Sequence, residues 1–476
     1  MSFAAKTSSA WLGNLNYRRL FSLTLRYFTN THEPSAPKPD HYPKWATSAS
    51  EIFAELEDGI FPDSLLLSQG QNIFMQGSVS TPAALETMLL SHVLDKKLRN
   101  LKLFQFYPLG PTPYFAEEFR GRIRMSTYCR DAINEGLADY IPIALSDLPL
   151  FYRNKLVFFK YALIMVSPPD IHGFCTLGAT VGSARAAIKS AEKIVGMAQV
   201  NPQVPVTYGD SAIHVSQIDF LVPCSEPIFE VPSPPPSSID QTIASNIASE
   251  LIEDGATIQL GFGSIPHEVT SHLRDHKDLG IHAENIFDGI VDLVELGVIT
   301  NKHKQVRQGR IAASYAIGTK RVYDFIDQNP LVGALYEIAW TNSTERIARN
   351  PKVSSVNTCL EMDLTGQSVG DSFAGNVYTG ERSILNGVGG QLDFTRGASL
   401  SSDGKGRPII TMSSLTSTGT SAIVPTLARG STVVATRAHV HYVVTEYGIA
   451  YLFGKTLRQR AHALIRIAHP DFRSVL

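Results

Sequence analysis

The stretch "PCSEPIFEVPSPPPSSID", Pro223 to Asp240, limits the possible folds of this chain more than any other. Proline fixes φ and lacks a backbone donor, so a run this rich in it cannot enter a helix or the middle of a sheet. It reads as an interdomain linker, with one α/β domain over residues 46–222 and a second over 241–476. Its far end is a helix start, since Ser238 and Asp240 can cap a helix that runs to Asp254 and stops at Gly255. Length agrees, because 476 residues are too many for one core.

On both sides of the linker, continuous apolar runs such as "LVFFKYALIMVS" and "RIAASYAIGT" alternate with helical patterns such as "DQTIASNIASELIEDG". That alternation predicts βα units, hence the α/β class, with mostly parallel sheets covered by helices. With 42 basic against 44 acidic residues and no basic block, no nucleic-acid partner is expected. Cys129, Cys175, Cys224 and Cys359 are far apart and match neither a metal site nor a disulfide framework. No metal is expected. No apolar run approaches the roughly 20 residues of a membrane span.

The N-terminus differs in composition. From Met1 to His32 there is no Asp or Glu, while Lys6, Arg18, Arg19 and Arg26 are interspersed with Ser, Thr and apolar residues. On a helical wheel of Arg18 to Phe28 the arginines oppose Leu20, Phe21, Leu25 and Phe28. Residues 1–45 therefore read as a mitochondrial presequence and a proline-rich linker, and the expected location is the mitochondrial matrix.

Three short stretches carry candidate chemistry. In "GIHAENIFDGIVDLVELGVITN" the helical spacing of Ile286, Ile290, Val291, Leu293 and Val294 predicts a helix starting close to Glu284, which would meet the positive end of its dipole. A first-turn acid that merely starts the helix would look the same. "IQLGFGSIP" and "NGVGGQLDFTRGA" each place close-spaced glycines beside an apolar strand, where backbone N–H groups can approach a ligand. The first lacks the third glycine of a dinucleotide fingerprint and carries Pro266 instead.

These stretches, with "VSPPDIHGFCTLG", "TYGDSAIHVSQID", "VNTCLEMDLTGQ", "VVTEYGIA" and "IAHPDF", resemble in order the acetyl-CoA hydrolase/transferase family, with the nearest likeness to 4-hydroxybutyrate and acetate:succinate CoA-transferases. The resemblance runs from about Phe61 to the C-terminus. It implies two related CoA-transferase-type domains, acyl-CoA and carboxylic acids as substrates, CoA as a covalent intermediate without a permanently bound cofactor, and a homodimer. It makes Glu284 the nucleophile and Asn357 the amide aimed at the oxyanion. Gly261, Gly263, Ile265 and Pro266 of the first glycine loop, and Gly387, Gly389 and Gly390 of the second, become the CoA- and substrate-binding positions. Asn357 is also a plain turn former, and Glu361 is a rival acid near it.

The carboxylate suits the chemistry because attack on a thioester carbonyl retains the thioester's energy in the enzyme and gives ping-pong kinetics. The expected activity moves CoA from acetyl-CoA to an acid such as succinate. A hydrolase using the same glutamate, and a catalytically silent CoA-binding protein, are the alternatives. His214, His439 and His441 read as core histidines on apolar strands, and Met362, Phe373 and Tyr378 as core. In "TEYGIAYLFGKT", Tyr451 and Phe453 stand where the family pattern leads one to expect an aspartate and an arginine, and "TGERSILNGVGG" is an unusual approach to the glycine loop.

Overall fold

The structure, a computed structural model, describes residues 41–59, 71–126, 130–193, 198–201, 203–373, 383–384 and 387–476. The expected presequence, Cys129, Tyr378 and part of "TGERSILNGVGG" lie outside the described residues.

Two six-stranded sheets organise the chain. Before the linker, Ala138–Asp139, Ile123–Ser126, Leu101–Gln105, Asn72–Met75, Phe159–Leu163 and Ala191–Lys193 lie side by side, all parallel. After it, Gly280–Ile281, Thr257–Leu260, Ser354–Thr358, Arg407–Thr411 and Tyr442–Thr445 are parallel, and Gly448–Tyr451 closes the edge as an antiparallel hairpin. The apolar runs are continuous because these strands are covered on both faces. Ile73 and Met75 pack on one side of the first sheet and Phe74 on the other, as Ile410 and Ile409 do in the second. The largest apolar cluster runs from Phe74 and Phe159 to Ile258 and Val444, so both sheets rest on a shared core. Among the described residues no helix is long and apolar enough to cross a membrane.

Residues 224–237 form neither helix nor strand. The next helix, Ser238–Leu251, is capped by Ser237, one residue earlier than expected, through a reciprocal capping box with Asp240. It ends at Leu251 rather than Asp254, and its buried face is Ile243, Ala244, Ile247, Ala248 and Leu251.

Two local expectations are corrected. The helix expected near Glu284 starts four residues later, as Asp288–Glu295, and its first-turn acid is Asp288. Asn285 and Ile286 instead pair as a short parallel strand with Tyr315 and Ala316. Ile286 therefore fits the helical spacing without belonging to the helix. Likewise "QLDF" is no strand but the first turn of the helix Gln391–Ser399, with Gly390 as its N-cap. Four residues of alternating polarity cannot separate the two forms by themselves.

Candidate active site

The backbone around Glu284 is held on both sides. The Glu284 carbonyl accepts the N–H groups of Ser314 (2.9 Å) and Tyr315 (2.8 Å), and the Ala283 N–H reaches the Ala312 carbonyl at 3.0 Å. Two residues earlier, His282 is fully buried, and its pKa is pushed down to about 3, chiefly by that burial. Its Nε2 donates to the Thr341 carbonyl at 2.7 Å and its Nδ1 accepts from the Asn350 amide at 3.1 Å, which fixes the neutral tautomer. Ser314 Oγ also donates to Thr341 Oγ1 at 2.9 Å. These links bring the residue after Thr341 beside Glu284.

That residue is Asn342. Its Nδ2 donates to Glu284 Oε1 at 2.8 Å and to Asp393 Oδ2 at 3.0 Å. Asp393 accepts two further bonds, from Ser146 Oγ at 2.8 Å and Ser146 N–H at 3.3 Å, so a side chain from before the linker completes the group. Gly390 lies directly against the carboxylate. A Cβ there would fall on the Glu284 carboxyl group and 2.7 Å from Asn342 Nδ2. Gly389, with φ +63°, supplies the left-handed step that turns the chain into the helix.

Glu284 is 8 % exposed, and its pKa is raised to about 7. Burial is the main cause and the Asp393 charge adds to it, while the Asn342 hydrogen bond opposes. Burial also raises Asp393, against the bonds from Asn342 and Ser146. A buried carboxylate with a raised pKa, held by one amide with bare backbone beside it, has the character of a group that can serve as nucleophile or base.

The first glycine loop makes a different neighbourhood. Asn357 is buried on the strand Ser354–Thr358, and its amide is matched with Gln259 by two reciprocal 3.1 Å bonds across adjacent strands. One Nδ2 hydrogen is given to Gln259, and the second is left for another acceptor. Gly261 lies against this pair, since a Cβ there would be 3.1 Å from Asn357 Oδ1. Gly263, with φ +130°, leads into the helix Ser264–Val269, where Ile265 and Pro266 are buried. His267 of that helix stacks on Phe287 with ring centroids 4.0 Å apart, joining this loop to the segment that carries Glu284.

Other residues singled out in the sequence stand apart from this contact set. Glu361 is buried and accepts the Ala428 N–H at 3.2 Å. Met362 is core. His214 is bonded to Ser216 Oγ and the His172 carbonyl, and His441 is buried against the Phe453 ring. His439 sits in a turn, not on a strand, and its Nε2 accepts from Arg396. Asn342, Asp393 and Ser146 were not foreseen. Asp393 stood inside a quoted motif, and reading "GG" as a helix N-cap would have put it in the first turn; the sequence around the other two carries no comparable signal.

The chain is 47 % identical over 455 residues to the succinyl-CoA:acetate/propanoyl-CoA:succinate CoA transferase of Fasciola hepatica, covering 94 % of this chain and 90 % of that one. The family's acetyl-CoA hydrolase/transferase N-terminal domain matches residues 40–231 and its C-terminal domain residues 318–476. The chain belongs to the acetyl-CoA hydrolase/transferase family. The 4-hydroxybutyrate coenzyme A transferase of Clostridium kluyveri is 45 % identical over 79 % of this chain and 86 % of its own. The crystal structure of a 4-hydroxybutyrate CoA-transferase from Porphyromonas gingivalis superposes with a TM-score of 0.73 at 32 % identity, covering 90 % of this chain and 95 % of that one. Membership gives the buried Glu284 group a family in which CoA is the substrate.

Proposed function

We propose that this chain is an acyl-CoA:carboxylate CoA-transferase that moves CoA from a short acyl-CoA, acetyl-CoA first, to an acid such as succinate. The observation that carries the reading is the buried Glu284 carboxylate, bonded to Asn342 and faced by the bare Cα of Gly390. The identity to relatives titled CoA-transferase supports it.

In the first step a Glu284 oxygen bonds to the thioester carbon, the C–S bond breaks and CoA leaves as thiolate. The thiolate then attacks the glutamyl carbonyl carbon, the bond from that carbon to the bridging oxygen breaks and the acid departs as a carboxylate carrying that oxygen, leaving CoA as a glutamyl thioester. A second carboxylate reverses the sequence and leaves as the new acyl-CoA. Each attack builds an oxyanion, for which the N–H groups at the turn Gly389–Gly390, beside the carboxylate, are the assigned donors. Asn342 orients the nucleophile. The loop through Gly261 and Gly263, backed by Gln259 and Asn357, is assigned to the CoA arm.

Water in place of the acceptor acid would make the same site a hydrolase. Free CoA release and succinyl-CoA formation, measured with and without succinate, separate the two. Succinate-dependent transfer that exceeds CoA release is expected, and CoA release unaffected by succinate would overturn the transferase assignment. The acid-free N-terminal segment supports delivery to the mitochondrial matrix, where the mature protein should begin between about Thr29 and Ala46. A homo-oligomer, taken as a dimer, is the proposed assembly.

A further inference from the structure

One amide nitrogen stands between two carboxylates at this site. The two hydrogens of Asn342 Nδ2 serve Glu284 and Asp393, whereas the Asn342 Oδ1, although buried, finds no partner among the described residues. The orientation of the amide is therefore set from its nitrogen side alone. Turned over while both carboxylates are ionised, the amide would present its oxygen to two acceptors, an arrangement without a single hydrogen bond. Asp393 is 5 % exposed and sits in the first turn of its helix, where exposed backbone N–H groups favour a negative charge. With Asn342 and Ser146 it accepts three hydrogen bonds. Among the described residues no cationic side chain is bonded to either carboxylate.

We propose that Asp393 is a positioning residue for Glu284, holding the Asn342 amide in its donor orientation, and that Ser146 of the N-terminal half sets Asp393 for this task. The proposal rests on Glu284 being the nucleophile. Its physical consequence has two parts. The amide fixes the Glu284 oxygen it touches, and the fixed negative charge beyond the amide keeps the glutamate more basic than an isolated buried carboxylate with the same hydrogen bond. A more basic carboxylate is the stronger nucleophile once ionised. Among the described residues, Asp393 faces Glu284 through Asn342, Asp147 lies beyond Ser146, and the titratable His282 on the Glu284 segment is neutral.

The test follows formation of the CoA adduct on the full-length enzyme, mixed with acetyl-CoA and no acceptor, across pH 5.5 to 9. Parent enzyme is measured first, and absence of its adduct would be a failure of the nucleophile assignment, separate from this proposal. With the adduct present, Asp393→Asn should slow its formation at pH 8 on the order of tenfold and move the acid limb of the profile to lower pH. A profile that keeps its acid limb, with a loss no larger than the loss of folded protein, would overturn the proposal. Ser146→Ala provides a second reading if Asp393→Asn does not fold. It removes only the hydroxyl donor and should lower the rate about threefold at unchanged affinity for acetyl-CoA. A rate equal to the parent's would contradict the role of Ser146.

Discussion

The two glycine turns look alike in the sequence and differ in what they meet. At Gly390 the bare Cα lies on a titratable carboxylate, Glu284, which is 8 % exposed and has a pKa raised to about 7. At Gly261 the same absence of a side chain makes room beside an amide pair, Gln259 and Asn357, whose bonds are already matched to each other. The first neighbourhood is held by a donor supplied from a distant helix end; the second completes itself across two neighbouring strands. A close-packed glycine thus marks where backbone approaches something, but the chemistry lies in the facing residue.

The contrast is most easily broken at Gly390. Replacing it by Ala puts a methyl onto the Glu284 carboxyl group, and turnover should fall by at least about 10²-fold, because a shift near 1 Å is costly when rate depends on positioning. A Gly390→Ala enzyme within threefold of the parent would mean that the glycine faces no reacting group. Next in size is Asn342→Ala, which removes the donor to Glu284 and should lower turnover on the order of 10²-fold with the fold retained. Asn357→Ala should act on stability instead, since it leaves Gln259 unpaired in a buried place at a cost of about 1–3 kcal/mol, read as a lower Tm. Equal kinetic losses in the two variants would erase the distinction between the turns.

A smaller effect follows from pH. Glu284 must be ionised to attack, so the rate of the first half-reaction should fall as pH drops through about 7 and be about tenfold lower at pH 6 than on its plateau. Stability carries the opposite sign for this group. A carboxyl whose folded pKa lies above its unfolded value stabilises the fold below about 4.5, and that contribution is lost as pH rises through about 7. The smallest change should come from Gly261→Ala, whose Cβ would sit 3.1 Å from Asn357 Oδ1 and ask for a shift of only tenths of an ångström. A rise of roughly threefold in KM for acetyl-CoA with little change in kcat is expected, the signature of a wall that binds without reacting.

Much of the fold was legible because both-face burial leaves a plain signal. The strand Phe159–Leu163 comes from a long, largely apolar stretch, and the helix Ser238–Leu251 from a capped amphipathic one. Short elements were less legible. Ile286 satisfied a helical period while pairing as a strand, and "QLDF" satisfied a strand pattern while forming a helix, because four residues sample too little of either period. At the site, Glu284 and Gly390 could be named from their motifs. Asn342 and Ser146 could not, since each is brought in by tertiary contacts: Asn342 by the His282–Thr341 and Ser314–Thr341 bonds, Ser146 by the meeting of the two halves.

The central claim is that Glu284 carries CoA. The most direct measurement is to mix the purified enzyme with acetyl-CoA in the absence of an acceptor acid, digest it, and weigh the peptide containing "AENIF". The account predicts CoA joined to that peptide as a thioester at Glu284, released by hydroxylamine and absent from Glu284→Gln. An unmodified peptide in an enzyme that still transfers CoA, or CoA found instead on the peptide containing Glu361, would contradict it.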